Sequence, residues 1–228
     1  MLTQKLRFNS LSIGKLIYLG YTLAHLTVLA GGMLYFSQSP SLSLAVLLLV
    51  LTGLVYDNGV IFIGDWIGLS DRLLVLNKIR YWLHGLCSPL LILFAVQVLH
   101  RADLSWDIVP WSDRLAWGLT FTLIAIEIFD RMIRLHLKPI TFAGTLRYKE
   151  VVPSKEIPVI LVILCVGAIG AVVWQHLGWS WMFLGALVML LGSAVPTTTK
   201  AGPSIGSGVE VLLGISLLST QIFLLGSA

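Results

Sequence analysis

Long apolar runs separated by short polar clusters are the dominant pattern of this chain. They fall at about 17–36, 42–66, 80–99, 115–133, 159–174, 181–195 and 208–227. Most approach or reach the ~20 residues that a helix needs to cross a hydrocarbon core. The pattern predicts an all-α polytopic membrane protein, a seven-transmembrane-helix bundle in which residues 1–228 form a single membrane domain. Ser37-Gln38-Ser39-Pro40 reads as the turn between the first two spans, and 71–78 as a short loop before the third. The fifth and sixth runs are rich in small residues and read as scaffold. Trp174, Trp179 and Trp181 gather at their junction, as an interfacial belt does. The longest connection, from 135 to 157, holds Lys138, Arg147, Lys149 and Lys155. Its centre, 145–152, alternates enough for a short hairpin or a lid on the membrane face. Its basic residues equally suit attraction to anionic headgroups.

Composition changes the expected surface. With 57% hydrophobic and 11% charged residues, the chain has too little polar surface to face water all round. A bilayer is therefore the first expected partner, a lipophilic small molecule the second, and a nucleic acid is not expected. Oligomeric state is left open. Of the 15 Lys and Arg residues, only Arg101 and Arg114 fall on the face opposite the N-terminus. The positive-inside rule then places the N-terminus in the cytoplasm and the C-terminus on the other side. Lys5, Arg7 and Lys15 precede the first run as in a signal peptide. That run is too long and lacks a small-residue cleavage site, so a retained helix is expected. Cys87 and Cys165 lie in apolar segments and receive no role.

The polar residues inside these runs carry the chemistry. Asp57 and Asn58 lie about fifteen residues along the second span, hence ~22 Å from its start and in the inner half of the membrane. An ionisable group at that depth costs at least ~2.5 kcal/mol, which points to function. Hydrogen-bonding glue between helices is the plainer account. Arg80, His84 and Ser88 form an i, i+4 stripe at the start of the third span, although Arg80 also fits an interfacial anchor. Pro89 is expected to kink the helix above them. Glu127 and Asp130 lie near the end of the fourth span, with Arg131 and Arg134 each four residues beyond a carboxylate. Internal ion pairs explain Asp130 with Arg134 better than the deeper Glu127. Glu210 is one turn into the last span. Tyr18, Tyr21 and His25 share a stripe of the first.

Helix directions put Asp57, Arg80, His84, Glu127, Asp130 and Glu210 in one layer, read as a polar chamber facing the cytoplasmic leaflet. Asp57, Glu127, Asp130, Glu210 and His84 are the catalytic candidates. Tyr21, His25, Tyr56, Asn58, Arg80, Trp82 and Lys200 are the substrate-binding candidates. Lys200 belongs to the Thr- and Gly-rich link 196–208, whose glycines and free N–H groups suit a phosphate. That link does not match P-loop spacing and also fits a flexible turn.

Carboxyl groups shielded from water stay protonated and donate to an alkene, an epoxide or a leaving oxygen. Asp57 is expected in that role. Glu127, Asp130 or Glu210, ionised beside Arg80, Arg131 or His84, would act as bases or electrostatic stabilisers. Tyr56, Trp82 and Phe129 offer ring faces to a developing cation. The histidines lack the helical pairing of a zinc site, and residues 209–228 lack a Schiff-base lysine for retinal. Bis-histidine haem through His25 and His84 is disfavoured by their different depths. No cofactor is expected, apart from Mg²⁺ if the substrate is a diphosphate.

Seven spans of this length, with Asp57 in the second and Glu210 in the seventh, resemble the integral membrane terpene cyclases of meroterpenoid pathways. In that family a Glu lies in span two and an Asp in span seven, the reverse of the order here. The resemblance covers the architecture and these two acidic positions. It implies an isoprenoid substrate entering from lipid and a cyclisation begun by protonation, in lyase- or isomerase-type lipid metabolism. The alternative is a small transporter or flippase for an anionic lipophilic substrate that uses the same chamber. No repeat between the first and last three spans favours that alternative. A purely structural subunit would have little use for so many intramembrane charges.

Overall fold

The structure is a computed structural model that describes residues 12–102, 109–152, 157–195, 199 and 202–226. Helices account for nearly all of it. Ser12 caps α1 (Ile13–Gln38) by accepting from the Lys15 N–H, and Ser41 caps α2 (Leu42–Ile67) by accepting from Leu44. Each side-chain oxygen satisfies one of the amides that a helix start leaves without a partner.

The third helix begins earlier than the hydrophobic pattern predicts. Residues 71–78, expected as a loop, form the first turns of α3 (Asp71–Cys87). Ser70 accepts from the Leu73 N–H there, and Asp71 complements the positive helix start. Ser88–Leu90 is a 3₁₀ turn containing Pro89, after which the chain continues as α4 (Leu91–Arg101). Proline supplies no N–H to the helical ladder, so the break falls where the sequence places it.

Next come α5 (Val109–Glu127), a wider π turn over Ile128–Ile133, strands β1 (Leu137–Phe142) and β2 (Thr145–Glu150), and helices α6 (Ile157–Leu177), α7 (Trp181–Ser193) and α8 (Gly202–Gly226). The last helix also starts earlier than expected and takes in 202–208 from the predicted link. Pro203 lies in its first turn, where a missing N–H breaks no helical bond.

Among the described residues, five stretches are long and apolar enough to cross a membrane: Ile13–Gln38, Leu42–Ile67, Asp71–Arg101, Ile157–Leu177 and Ser204–Gly226. Helix α7 is apolar but shorter. Large apolar residues lie on the outside as well as the inside. Leu34 is 66% exposed and Leu191 62%, whereas Phe94, Leu44, Leu51 and Met182 are fully enclosed. Helices apolar all round belong in lipid, and the chain is a membrane-embedded helical protein. Helix α2 is central, packing on α1, α3, α4, α8 and strand β2.

The β hairpin fastens onto one end of this bundle. Its strands pair antiparallel from Leu137 with Glu150 to Phe142 with Thr145, and Ala143 and Gly144 make the turn. Both turn residues have positive φ, 48° and 80°, as a two-residue type I′ turn requires. The turn meets the start of α1. The Gly14 N–H donates to the Ala143 carbonyl at 3.1 Å, and the Ser12 hydroxyl donates to the Gly144 carbonyl at 3.2 Å. On the other flank, the Leu146 carbonyl lies directly against Gly64 of α2, where any side chain would overlap it.

Gly64→Ala should therefore lift the hairpin off the bundle at a loss of ~1–3 kcal/mol, the usual range for overpacking. Thermal unfolding in detergent measures the loss, and protease cleavage within 137–150 reports the detachment. Gly118→Ala meets nothing within 4 Å, so it should leave stability unchanged or raise it by up to ~1 kcal/mol through helix propensity.

Candidate functional site

Helices α2 and α3 run side by side and bring two charges together below the hairpin. Arg80 Nε donates to Asp57 Oδ1 at 2.9 Å. One turn back on α3, Asn77 Oδ1 accepts from Arg80 Nη1 at 2.6 Å and from the Tyr148 backbone N–H at 3.1 Å. Asn77 Nδ2 donates to the Leu73 carbonyl at 2.8 Å, so both ends of this fully buried amide are engaged. The side chains of Arg80 and Asp57 are 10% and 19% exposed. Water screens the pair weakly there, and charge-assisted bonds contribute about 1.5–3 kcal/mol each. The geometry engages Asp57 Oδ1 as an acceptor from the Arg80 guanidinium.

Tyrosines link the hairpin to the same junction. Arg147 Nη1 donates to the Tyr18 hydroxyl at 2.8 Å, and the Glu150 N–H donates to the Tyr81 hydroxyl at 3.3 Å. The Tyr56 hydroxyl donates to the Leu76 carbonyl at 3.3 Å. Farther round, Lys15 pairs with Asp65 and also lies over the Trp66 ring. The Tyr148 ring packs on Val60 and Leu73. A cavity of about 250 Å³ lies beside the strands, bordered by Arg80, Tyr81, Arg147, Tyr148 and Lys149 among others.

A second cavity, narrow at about 40 Å³, runs among α2, α3, α4, α6, α7 and α8. Leucines and valines dominate its wall, including Leu51, Leu54, Val162 and Leu217. Its polar side chains are His84, Ser88 and Glu210. Glu210 is within electrostatic reach of both Asp57 and Arg80, so the ion pair of one cavity bears on the carboxyl group of the other.

His25 is fully buried near Asp57 and the Glu210 backbone. Its Nδ1 lies 2.9 Å from the Tyr21 carbonyl, which can only accept, so Nδ1 carries the proton. That leaves Nε2 as an acceptor in the neutral ring. Asn58 donates through Nδ2 to the Leu54 carbonyl at 3.0 Å. Among the described residues, buried His25 Nε2 and Asn58 Oδ1 make no hydrogen bond. Tyr21 packs its hydroxyl against Gly208 of α8, where a Cβ would meet it at 2.9 Å.

The remaining candidates lie elsewhere. Glu127 is 4% exposed in the last turn of α5, a helix that packs on α3, and it lines neither cavity. Asp130 also borders neither. Among the described ion pairs none joins Asp130 to Arg134, whose guanidinium lies over the Phe129 ring at 4.5 Å. The π turn explains the missed pairing, because its wider winding moves the aligned neighbour from i+4 to i+5. Trp82 is 41% exposed and Phe129 48%, so neither ring encloses a chamber. Two residues beyond Arg80 on a helix is about 200° round the axis, which turns Trp82 outward. Lys200 lies outside the described residues, as does the side chain of Arg131. Among the described residues no three His, Cys, Asp or Glu side chains gather as metal ligands would.

Removing Arg80 strands Asp57 without its donor. Arg80→Ala should lower stability by ~3–5 kcal/mol, whereas Asp57→Leu combined with Arg80→Met should recover most of that loss, because no buried charge is left unpaired. Unfolding in detergent checks both, and the Asp57→Leu and Arg80→Met single variants complete a double-mutant cycle. Comparison with protein-family models and with curated protein sequences finds no match for this chain, and the geometry alone supports a functional reading.

Proposed function

We propose that this protein is a membrane-embedded enzyme that transforms a lipophilic, isoprenoid or lipid, substrate by acid/base chemistry, with Glu210 as its principal acid. The observation that carries this reading is the polar trio Glu210, His84 and Ser88 in an otherwise apolar slot. An apolar wall recognises a hydrocarbon, and a few placed polar groups supply orientation and reactivity.

The chemistry is that of a cyclase. Protonated Glu210 gives its proton to an alkene carbon or an epoxide oxygen, forming a C–H bond or opening the C–O bond. A neighbouring double bond of the substrate closes on the cation and forms the new C–C bond. A proton leaves the final cation to His84 or to the Glu210 carboxylate, and the product is an isomer of the substrate. The Asp57–Arg80 pair sets the field in which Glu210 changes charge. The slot must widen to admit such a molecule, by parting α6 from α4 or α2. The likeness to meroterpenoid cyclases supports the same reaction class.

The proposal includes seven spans, with α5 and the shorter α7 crossing beside the five long apolar stretches, and a cytoplasmic N-terminus and hairpin. The Lys and Arg distribution supports that orientation. Mg²⁺ enters only if the substrate is a diphosphate.

Glu210→Gln should lower turnover by at least about a hundredfold, the lower range for loss of a general acid, while unfolding in detergent stays near that of the unmodified protein. Glu127→Gln should retain most activity, since Glu127 lines neither cavity. The assay incubates purified protein with prenyl and lipid substrates and detects products by mass spectrometry. Full activity in Glu210→Gln rejects Glu210 as the acid. A protein that makes no product but moves substrate across a vesicle membrane is a carrier instead.

A further inference from the structure

The cavity beside the β hairpin has a chemistry the acid/base reading does not use. Among the described residues its lining includes three cationic side chains, Arg80, Arg147 and Lys149, and no carboxylate. Arg80 is neutralised from outside that lining by Asp57. Arg147 is 8% exposed and donates to the Tyr18 hydroxyl, with the Tyr18 and Phe142 rings 5.5 and 5.4 Å from its guanidinium carbon. Among the described ion pairs none includes Arg147. A nearly buried guanidinium held against two rings and a phenol favours an oxyanion, because a planar fork of donors matches phosphate geometry. Tyr81 and Tyr148 add phenols to the same wall.

Size and position narrow the ligand further. About 250 Å³ is less than the ~300–1,000 Å³ of pockets that enclose a whole drug-sized molecule, and it suits a headgroup. Arg80 borders this cavity, and its partner Asp57 bears on Glu210 in the apolar slot.

We infer that the cavity between the hairpin and α3 binds a phosphate-bearing headgroup, which makes the substrate an anionic amphiphile. This assignment of substrate class rests on the enzyme reading above. The binding site itself does not, and phosphate borne by a lipid or free in solution shares the chemistry that Arg147 and Lys149 recognise.

The test is equilibrium binding to the full chain in neutral detergent, using farnesyl phosphate, lysophosphatidic acid, their neutral counterparts farnesol and monoacylglycerol, and inorganic phosphate. The phosphorylated amphiphiles should bind at least about tenfold more tightly than the neutral ones, as expected for charge-assisted bonds. Arg147→Gln and Lys149→Gln should each reduce that preference about five- to tenfold. Arg147 also holds Tyr18, so Lys149→Gln, on a partly exposed strand residue, guards against loss through unfolding. Lys138→Gln, directly opposite Lys149 on the same face of the hairpin but outside the lining, should reduce binding less than Lys149→Gln does.

Equal affinity for phosphorylated and neutral amphiphiles, or an equal loss with Lys138→Gln, overturns the site. Inorganic phosphate binding as tightly as farnesyl phosphate upholds the phosphate pocket and overturns the amphiphile assignment. Glu210→Gln separates the two proposals. Retained headgroup binding with lost turnover supports both, whereas retained binding with unchanged turnover overturns the acid role alone.

Discussion

A guanidinium and a carboxylate are unfavourable in surroundings poor in water unless each satisfies the other, and this requirement orders the hairpin end of the bundle. Arg80 meets it with Asp57 on one side and Asn77 on the other. Asn77 then has one lone pair left, which takes the backbone N–H of Tyr148. The register of α2 against α3 and the seating of β2 thus depend on the same few atoms. A slip of one residue in either helix would leave a buried charge without its partner, a far larger loss than any single apolar contact. Neighbouring links, Arg147 to Tyr18 and Lys15 to Asp65, repeat the arrangement round the rim.

This junction separates two surroundings of opposite character. On the hairpin side the lining is cationic and aromatic, and on the bundle side it is aliphatic with three polar groups. Glu210 belongs to the second but is influenced by the charges of the first. A carboxyl group so placed has an electrostatic environment that changes when an anion enters next door. On the proposed reading, an anion held at the rim would act on Glu210 electrostatically, by way of Asp57 and Arg80.

The sequence made the helical, membrane-embedded character readable because apolar runs of this length have few other uses. It also located the break at Pro89 and the strand propensity near Thr145. It read two helix starts late. Residues 71–78 and 202–208 are polar or Gly-rich, and there capping by Ser70 and a tolerated Pro203 outweigh hydrophobicity. The first error hid Asn77, which looked like a loop residue although it lies three before Arg80 on one helical face. The site was readable in depth but not in azimuth. Counting residues along a span gives height in the membrane, which is why Asp57, Arg80 and Glu210 were grouped, but it does not say which way a side chain faces. Trp82 turns outward for that reason, and Glu127 and Asp130 belong to the α5 side of α3. The contact of Arg147 with Tyr18 joins residues 129 apart in sequence, and no local pattern announces it.

The clasp between the hairpin turn and the first turn of α1 joins positions 132 residues apart at Ser12 and Gly144. During synthesis α1 is therefore in the bilayer long before its clasp exists. Lys15 can find Asp65 once α2 has been made, but the Tyr18 hydroxyl and the Gly14 amide wait for the hairpin. Contacts that close so long a loop form late, because chain entropy opposes them until the intervening helices are packed. The hairpin thus fastens the start of α1 only after α2 to α5 have been made, and α6 to α8 follow it. A nascent chain halted before Glu150 would lack α6 to α8 as well as the clasp, a state that quality-control proteases in the membrane could distinguish from the finished protein.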